Sequence, residues 1–193
     1  MTGRTHDLAA FTALGVVVLT VAPAPVTLGT VLVAVLGNLI GGITPDIDEP
    51  TAPLWRNLPI GGTVGKITDK MLGGHRFLTH SLLGLALFGG LAYEFLHFIA
   101  PIIPTINIMF VWYAFLIGML SHLVMDTFTK EGVPWLLPLP YKFGFPPLKE
   151  LRITTGKMVE TLGVFPALLV FNLYWYWVHY GRLLELIKLY LRK

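Results

Sequence analysis

The chain has 193 residues, 54% of them hydrophobic and 13% charged, with a mean hydropathy of +0.69 and a net charge of +3. Soluble domains carry roughly 25% charged residues, so this composition excludes an ordinary water-soluble domain and makes lipid the main solvent. The absence of cysteine excludes disulfides and thiolate ligands, leaving any metal to His, Asp, Glu, backbone or water.

Five apolar stretches follow in chain order, at about 8–22, 28–43, 82–103, 106–125 and 162–180. A spanning helix needs ~20 apolar residues. The last three meet that length, and the first two are short enough to be thin or tilted. Arg4, His6 and Asp7 before the first stretch make a poor signal-peptide start, so that helix is expected to belong to the fold. Pro23 and Pro25 punctuate the first turn, and Pro101 and Pro104 the turn between the third and fourth helices. Polar segments rich in glycine and proline, 44–79 and 127–158, read as structured loops over one membrane face. The expected fold is an all-α polytopic membrane bundle of about five helices, with a metal site carried by the loops of one face. Residues 1–193 form a single integral-membrane domain. The tail at 181–193 either lies amphipathically in the interface or extends the fifth helix.

Alternating spans bring the unusual polar residues to one side. His6 precedes the first helix, Asp46 and Asp48 follow the second, His75 and His80 precede the third, His122 and Asp126 close the fourth, and Glu160 opens the fifth. Ten of the fourteen basic residues fall on this face and none in the opposite turns, which places the face in the cytoplasm. The basic tail conflicts with this unless the fifth stretch is re-entrant. His97 and His179 fall near the other face and read as structural.

Three motifs carry the chemistry. Within Ser121-His122-Leu123-Val124-Met125-Asp126, the i, i+4 spacing stacks His and Asp on one helix face. Both can bind one metal, or Asp126 can orient the imidazole. The plain alternative is a hydrogen-bonded helix end, but ionisable groups in membrane segments are costly and usually functional. Within Thr44-Pro45-Asp46-Ile47-Asp48-Glu49-Pro50, an extended chain would aim Asp46 and Asp48 the same way, although an acidic turn would suffice. Within Gly74-His75-Arg76-Phe77-Leu78-Thr79-His80-Ser81, His75 is expected on the loop and His80 at the helix start, with Thr79 as its cap. Arg76 suits bidentate phosphate or carboxylate binding. Glu160 is a ligand, a general base or a first-turn acid.

Together these motifs resemble the YdjM-like family of membrane-bound, inner-membrane metal-dependent hydrolases, over nearly the whole chain from His6 to about Glu160. Gly132-Val133-Pro134-Trp135-Leu136-Leu137-Pro138 fits the same pattern. That family is distantly similar to zinc-dependent phospholipase C and the S1/P1 nucleases. The resemblance implies that His122 and Asp126 form a His-x-x-x-Asp pair, with Asp46 or Asp48 as the loop carboxylate.

The expectation is a hydrolase that attacks a phosphoester, such as that of a phospholipid headgroup, with metal-activated water. The ligand pool is His6, Asp46, Asp48, His75, His80, His122 and Asp126. The catalytic candidates are Asp48 or Glu160 as base and Arg76 on the phosphoryl oxygens. One to three Zn²⁺ ions are expected, with Mn²⁺ the alternative for a His/Asp site. Membrane lipids are the expected partners, and nucleic acid is not. The rival readings are a metal-binding scaffold, channel or transporter, and a metal-free phosphatase with a histidine nucleophile.

Overall fold

A computed structural model describes residues 1–21, 26–73, 76–139 and 141–191. Its five long helices answer to the five apolar stretches, because a spanning segment must satisfy its backbone groups internally. They are α1 (Gly3–Val21), α2 (Leu28–Ile43), α5 (Leu82–Ile99), α6 (Ile108–Thr127) and α7 (Phe165–Val178). The 44–79 loop adds two short helices, α3 (Pro53–Arg56) and α4 (Gly61–Met71). A last helix, α8, covers Tyr180–Leu191. No strand occurs among the described residues, which hold two isolated bridges in the 127–158 loop.

The helix starts follow side-chain chemistry. Thr27, Ser81 and Asn107 each accept a hydrogen bond from the amide three residues on, capping α2, α5 and α6. Ser81 therefore holds the capping role expected of Thr79. A wide turn at Val159–Val164 leads into α7, where Pro166 cannot donate to the carbonyl four residues back.

Small residues decide the packing. A Cβ on Gly41 would sit 2.1 Å from the Phe115 carbonyl oxygen, and one on Gly118 would sit 2.0 Å from that of Asn38. Only hydrogen fits there, so α2 and α6 meet backbone to backbone, as small residues allow in membranes. The Asn38 amide donates to the Ala114 carbonyl at 3.0 Å across the same seam. With α1 these two helices form the interior around Leu14, Ala34, Val111 and Ala114. α5 leans on α6 through a bond from the Trp112 indole to the Gly89 carbonyl. α7 is tied to α1 by the Asn172 amide donating to Thr12 Oγ1 at 2.6 Å.

The tail does not prolong α7. The chain breaks at His179, and α8 folds so that Leu183 and Leu186 pack on Leu19 and Val26. Leu19 lies at the end of α1 remote from His6, so α8 sits at the face opposite the polar groups. The segment Val159–Val178 then runs from the end that carries the polar groups to the opposite end, with the length and composition of a crossing.

Candidate metal centre

The close seam between α2 and α6 sets the first candidate ligand. It brings the Gly42 carbonyl 2.6 Å from His122 Nδ1. A carbonyl only accepts, so Nδ1 carries the proton and Nε2 presents its lone pair inward. His6, from the first turn of α1, stacks on this ring with centroids 3.5 Å apart and planes 5° from parallel. Asp126 lies one turn along α6 from His122, and its Oδ1 is 3.3 Å from His6 Nε2.

Asp46 and His80 close the group. His80 Nε2 is 3.6 Å from Asp126 Oδ2 and 3.8 Å from Asp46 Oδ1. His122 Nε2 is 3.5 Å from Asp46 Oδ1 and 3.8 Å from Asp126 Oδ2. Nitrogen and oxygen thus alternate around a four-atom ring. Tetrahedral ligands at Zn²⁺ bond lengths of ~2.0–2.2 Å stand ~3.3–3.6 Å from one another; the four ring edges lie at or just above that, and the mutually close ligand atoms of the described residues form two triads that share His122, His6–His122–Asp126 and Asp46–His80–His122. His6, His122 and Asp126 are fully or almost fully buried, and Asp46 is partly exposed. His6 Nε2 and His122 Nε2 have no aligned hydrogen-bond partner among the described residues. Buried polar atoms are normally satisfied, so lone pairs aimed at two carboxylates fit a cation.

A second layer supports the first. Thr79 Oγ1 donates a short hydrogen bond to Asp48 Oδ2 and lies 3.0 Å from His80 Nδ1. Because the hydroxyl proton goes to Asp48, its oxygen accepts from His80 Nδ1–H, and His80 Nε2 is the basic nitrogen. Burial pushes the His80 imidazole below its ordinary range, against the raising effect of Asp126, Asp46 and Asp48, which keeps the ring neutral as a ligand must be. Sequence reasoning gave Thr79 only a capping role and missed the Gly42 carbonyl. A hydroxyl next to a site histidine was the available signal for Thr79, whereas the carbonyl had none.

Several residues sit where the sequence did not place them. Asp46 and Asp48 diverge because 44–48 is a 3₁₀ turn rather than an extended strand. At three residues per turn, positions two apart point ~120° from each other. Asp48 therefore meets Thr79 and the Arg76 amide at 3.2 Å, and it does not join the ligand groupings of the described residues. Arg76 is buried, with left-handed backbone (φ 60°). Its guanidinium pairs with Asp126 at 2.5 Å and donates to Thr129 Oγ1, so it holds a candidate ligand rather than facing the cleft. The Met1 amine also contacts Asp126 Oδ1. Glu160 accepts four bonds, from the Thr2 amide, the Thr2 and Thr5 hydroxyls and the Gly156 amide. Three of these donors converge on Oε1 and the Gly156 amide takes Oε2, so Glu160 clasps the start of α1 to the α7 segment. His75 lies outside the described residues. His97 and His179 bond carbonyls one turn back in their own helices.

The Trp135 motif has a structural role. Its carbonyl accepts from the Leu82 amide at the start of α5, and its indole donates to Thr127 Oγ1 at the end of α6. This staples the 127–158 loop over the helix ends that carry His80 and Asp126. Above Asp46 opens a polar cleft of ≈ 760 Å³, walled by the start of α1, the end of α3 and Thr161. Crevices deeper in the bundle are lined almost wholly by apolar side chains such as Leu14, Val18 and Phe110.

The profile of a family described as "YdjM inner membrane protein" matches residues 1–184. The chain belongs to that family. It is an integral inner-membrane protein. It is similar to "Uncharacterized protein YvsG" of Bacillus subtilis (strain 168), with 30% identity over 184 residues that cover 95% of this chain and 99% of that protein. No solved structure matches. The family match spans every residue of the centre, from His6 to Asp126 and on to Glu160.

Proposed function

We propose that this YdjM-family protein is a membrane-bound, metal-dependent hydrolase of phosphoesters, with its centre on the cytoplasmic face. The observation that carries the proposal is the N–O–N–O ring of His80, Asp46, His122 and Asp126 beneath an open polar cleft. His80, His122, Asp46 and Asp126 would hold a Zn²⁺ or Mn²⁺ ion, with His6 as a further ligand or the start of a second position. When bound, such a cation lowers the pKa of water from 15.7 to about 7 and polarises a phosphoryl oxygen.

The protein's own residues supply the rest. Gly42 and Thr79 fix the two imidazole tautomers, and Arg76 holds Asp126 in one orientation. Asp46 is the partly exposed member, so it forms the border between ligand set and cleft and is best placed to take a proton from an entering water. A phosphoester reached through the cleft would meet the site at headgroup level. A His-x-x-x-Asp pair such as His122 and Asp126 would suit this reaction class.

A second reading is a non-catalytic metal-binding scaffold or a metal transporter. The contacts of Arg76 and the Met1 amine with Asp126 favour it, because they would suit a purely structural network. Transport sites lie near the bilayer midplane, whereas these ligands lie at helix ends. The test is to purify the protein in detergent, measure bound metal, and assay phosphate and headgroup release from a lipid panel. Wild type should carry metal and hydrolyse one lipid class, and His122→Ala and Asp126→Ala should lose both properties. Metal retained in both variants overturns the ligand assignment. Stoichiometric metal without turnover favours the scaffold or transporter.

A further inference from the structure

With Arg76 engaged inside the protein, the cleft above Asp46 needs another anion-binding group. Arg4 in the first turn of α1 and Arg56 at the end of α3 both line it, with Asn57 beside them. Both arginines are exposed, and neither has an ion pair among the described residues. Two carboxylates share the cleft, Asp46 and the half-buried Asp7. Asp46 faces His80 and His122, which leaves Arg4, Arg56 and Asp7 as the charged side chains of the outer lining, two cations to one carboxylate.

The position of Arg56 is built rather than incidental. The Trp55 indole donates to the Ile47 carbonyl at 3.0 Å, and a Cβ on Gly61 would lie 1.9 Å from the Trp55 carbonyl. These contacts lock α3 between the Asp46 turn and α4. The rim is apolar on both sides: Leu58 and Ile60 are exposed just past Arg56, and Met158 and Leu162 are exposed around Thr161. Exposed aliphatic side chains next to arginines at a membrane face belong in the headgroup layer.

We infer that this cleft binds the phosphate of a lipid headgroup, with Arg4 and Arg56 as its two cationic contacts. The inference rests on the reading of the centre as a phosphoester hydrolase and names the substrate class that reaches it. Guanidinium groups match phosphate oxygens in paired hydrogen bonds. The apolar rim holds the acyl chains, so the lipid need not leave the bilayer. A free phosphate ion shares the polar contacts and gains nothing from the rim.

The test is calorimetric titration of the intact protein in detergent micelles with dioctanoyl phosphatidic acid and, separately, inorganic phosphate. The lipid should bind at least ~10-fold tighter than phosphate, and Arg4→Gln and Arg56→Gln should each weaken lipid binding about 10-fold. The variant Lys66→Gln removes the same single charge from α4 and should stay within about twofold, as for screened surface charge. Unchanged affinity in the arginine variants overturns the inference, as does an equal loss in the lysine variant. Equal affinity for phosphate and lipid overturns the headgroup assignment. Bound metal is measured on the same samples. Arginine-dependent lipid binding in a wild-type protein that takes up no metal ends the hydrolase reading and leaves the headgroup site standing.

Discussion

Substitution of Gly41 by alanine should disable the metal centre without touching a ligand. The new Cβ would lie 2.1 Å from the Phe115 carbonyl oxygen, where a carbon–oxygen contact needs ~3.3 Å, so α2 and α6 must separate by about 1.2 Å. One residue on, the bond between the Gly42 carbonyl and His122 Nδ1 is 2.6 Å. The same displacement takes it to about 3.8 Å, beyond hydrogen-bonding range. His122 then loses the partner that fixes its tautomer and ring angle. Loss of such an orienting partner costs ~10–100-fold in metal affinity, and the overpacking costs ~1–3 kcal/mol of stability. Competition with a chelating dye gives the affinity, and thermal unfolding in detergent gives the stability. Gly118→Ala presses on the Asn38 carbonyl in the same seam and should behave alike, whereas nothing lies within 4 Å of a Cβ on Gly90, so Gly90→Ala should be silent. A folded Gly41→Ala protein with wild-type metal affinity would refute the link between helix spacing and imidazole orientation.

Three further outcomes follow from the second layer. Thr79→Val removes the hydroxyl between Asp48 and His80 and should weaken metal binding about 10-fold, with recovery in Thr79→Ser. Arg76→Met leaves Asp126 buried without its guanidinium, and a broken buried pair costs ~3–5 kcal/mol; an unfolding temperature equal to wild type would count against that pairing. Glu160→Gln should lower thermal stability by ~1–3 kcal/mol through the lost charged bonds to Thr2, Thr5 and Gly156. Metal content should be unchanged, and a selective loss of turnover in a stable protein would restore Glu160 as a base.

Hydrophobic run length alone made the five spans readable, and strict alternation across the membrane then predicted one shared face. The structure brings His6, Asp46, His80, His122 and Asp126 together there. The roles within the cluster were less legible. Asp46 and Asp48 were paired on the premise of an extended chain, and the 3₁₀ turn after α2 separates them. Arg76 read as a phosphate-facing cation because nothing in its neighbours' identities announces the left-handed turn that buries it. The Gly42 carbonyl was invisible because every residue has one, and only the α2–α6 spacing makes it special. Glu160 looked catalytic by position. Its four donors come from Thr2, Thr5 and Gly156, and no local pattern around Glu160 foretells the two distant threonines.

The glycine seam also bears on biosynthesis. His6 and Asp46 belong to the first two helices to leave the ribosome, but His122 and Asp126 arrive only with α6, after α5 has been inserted. Helices enter the bilayer first and associate laterally afterwards. The early residues of the candidate centre therefore meet their partners only when α6 packs on α2 through the backbone contact at Gly41 and Gly118. The candidate centre is therefore incomplete through most of synthesis, and its residues are all present only once the fourth crossing is made.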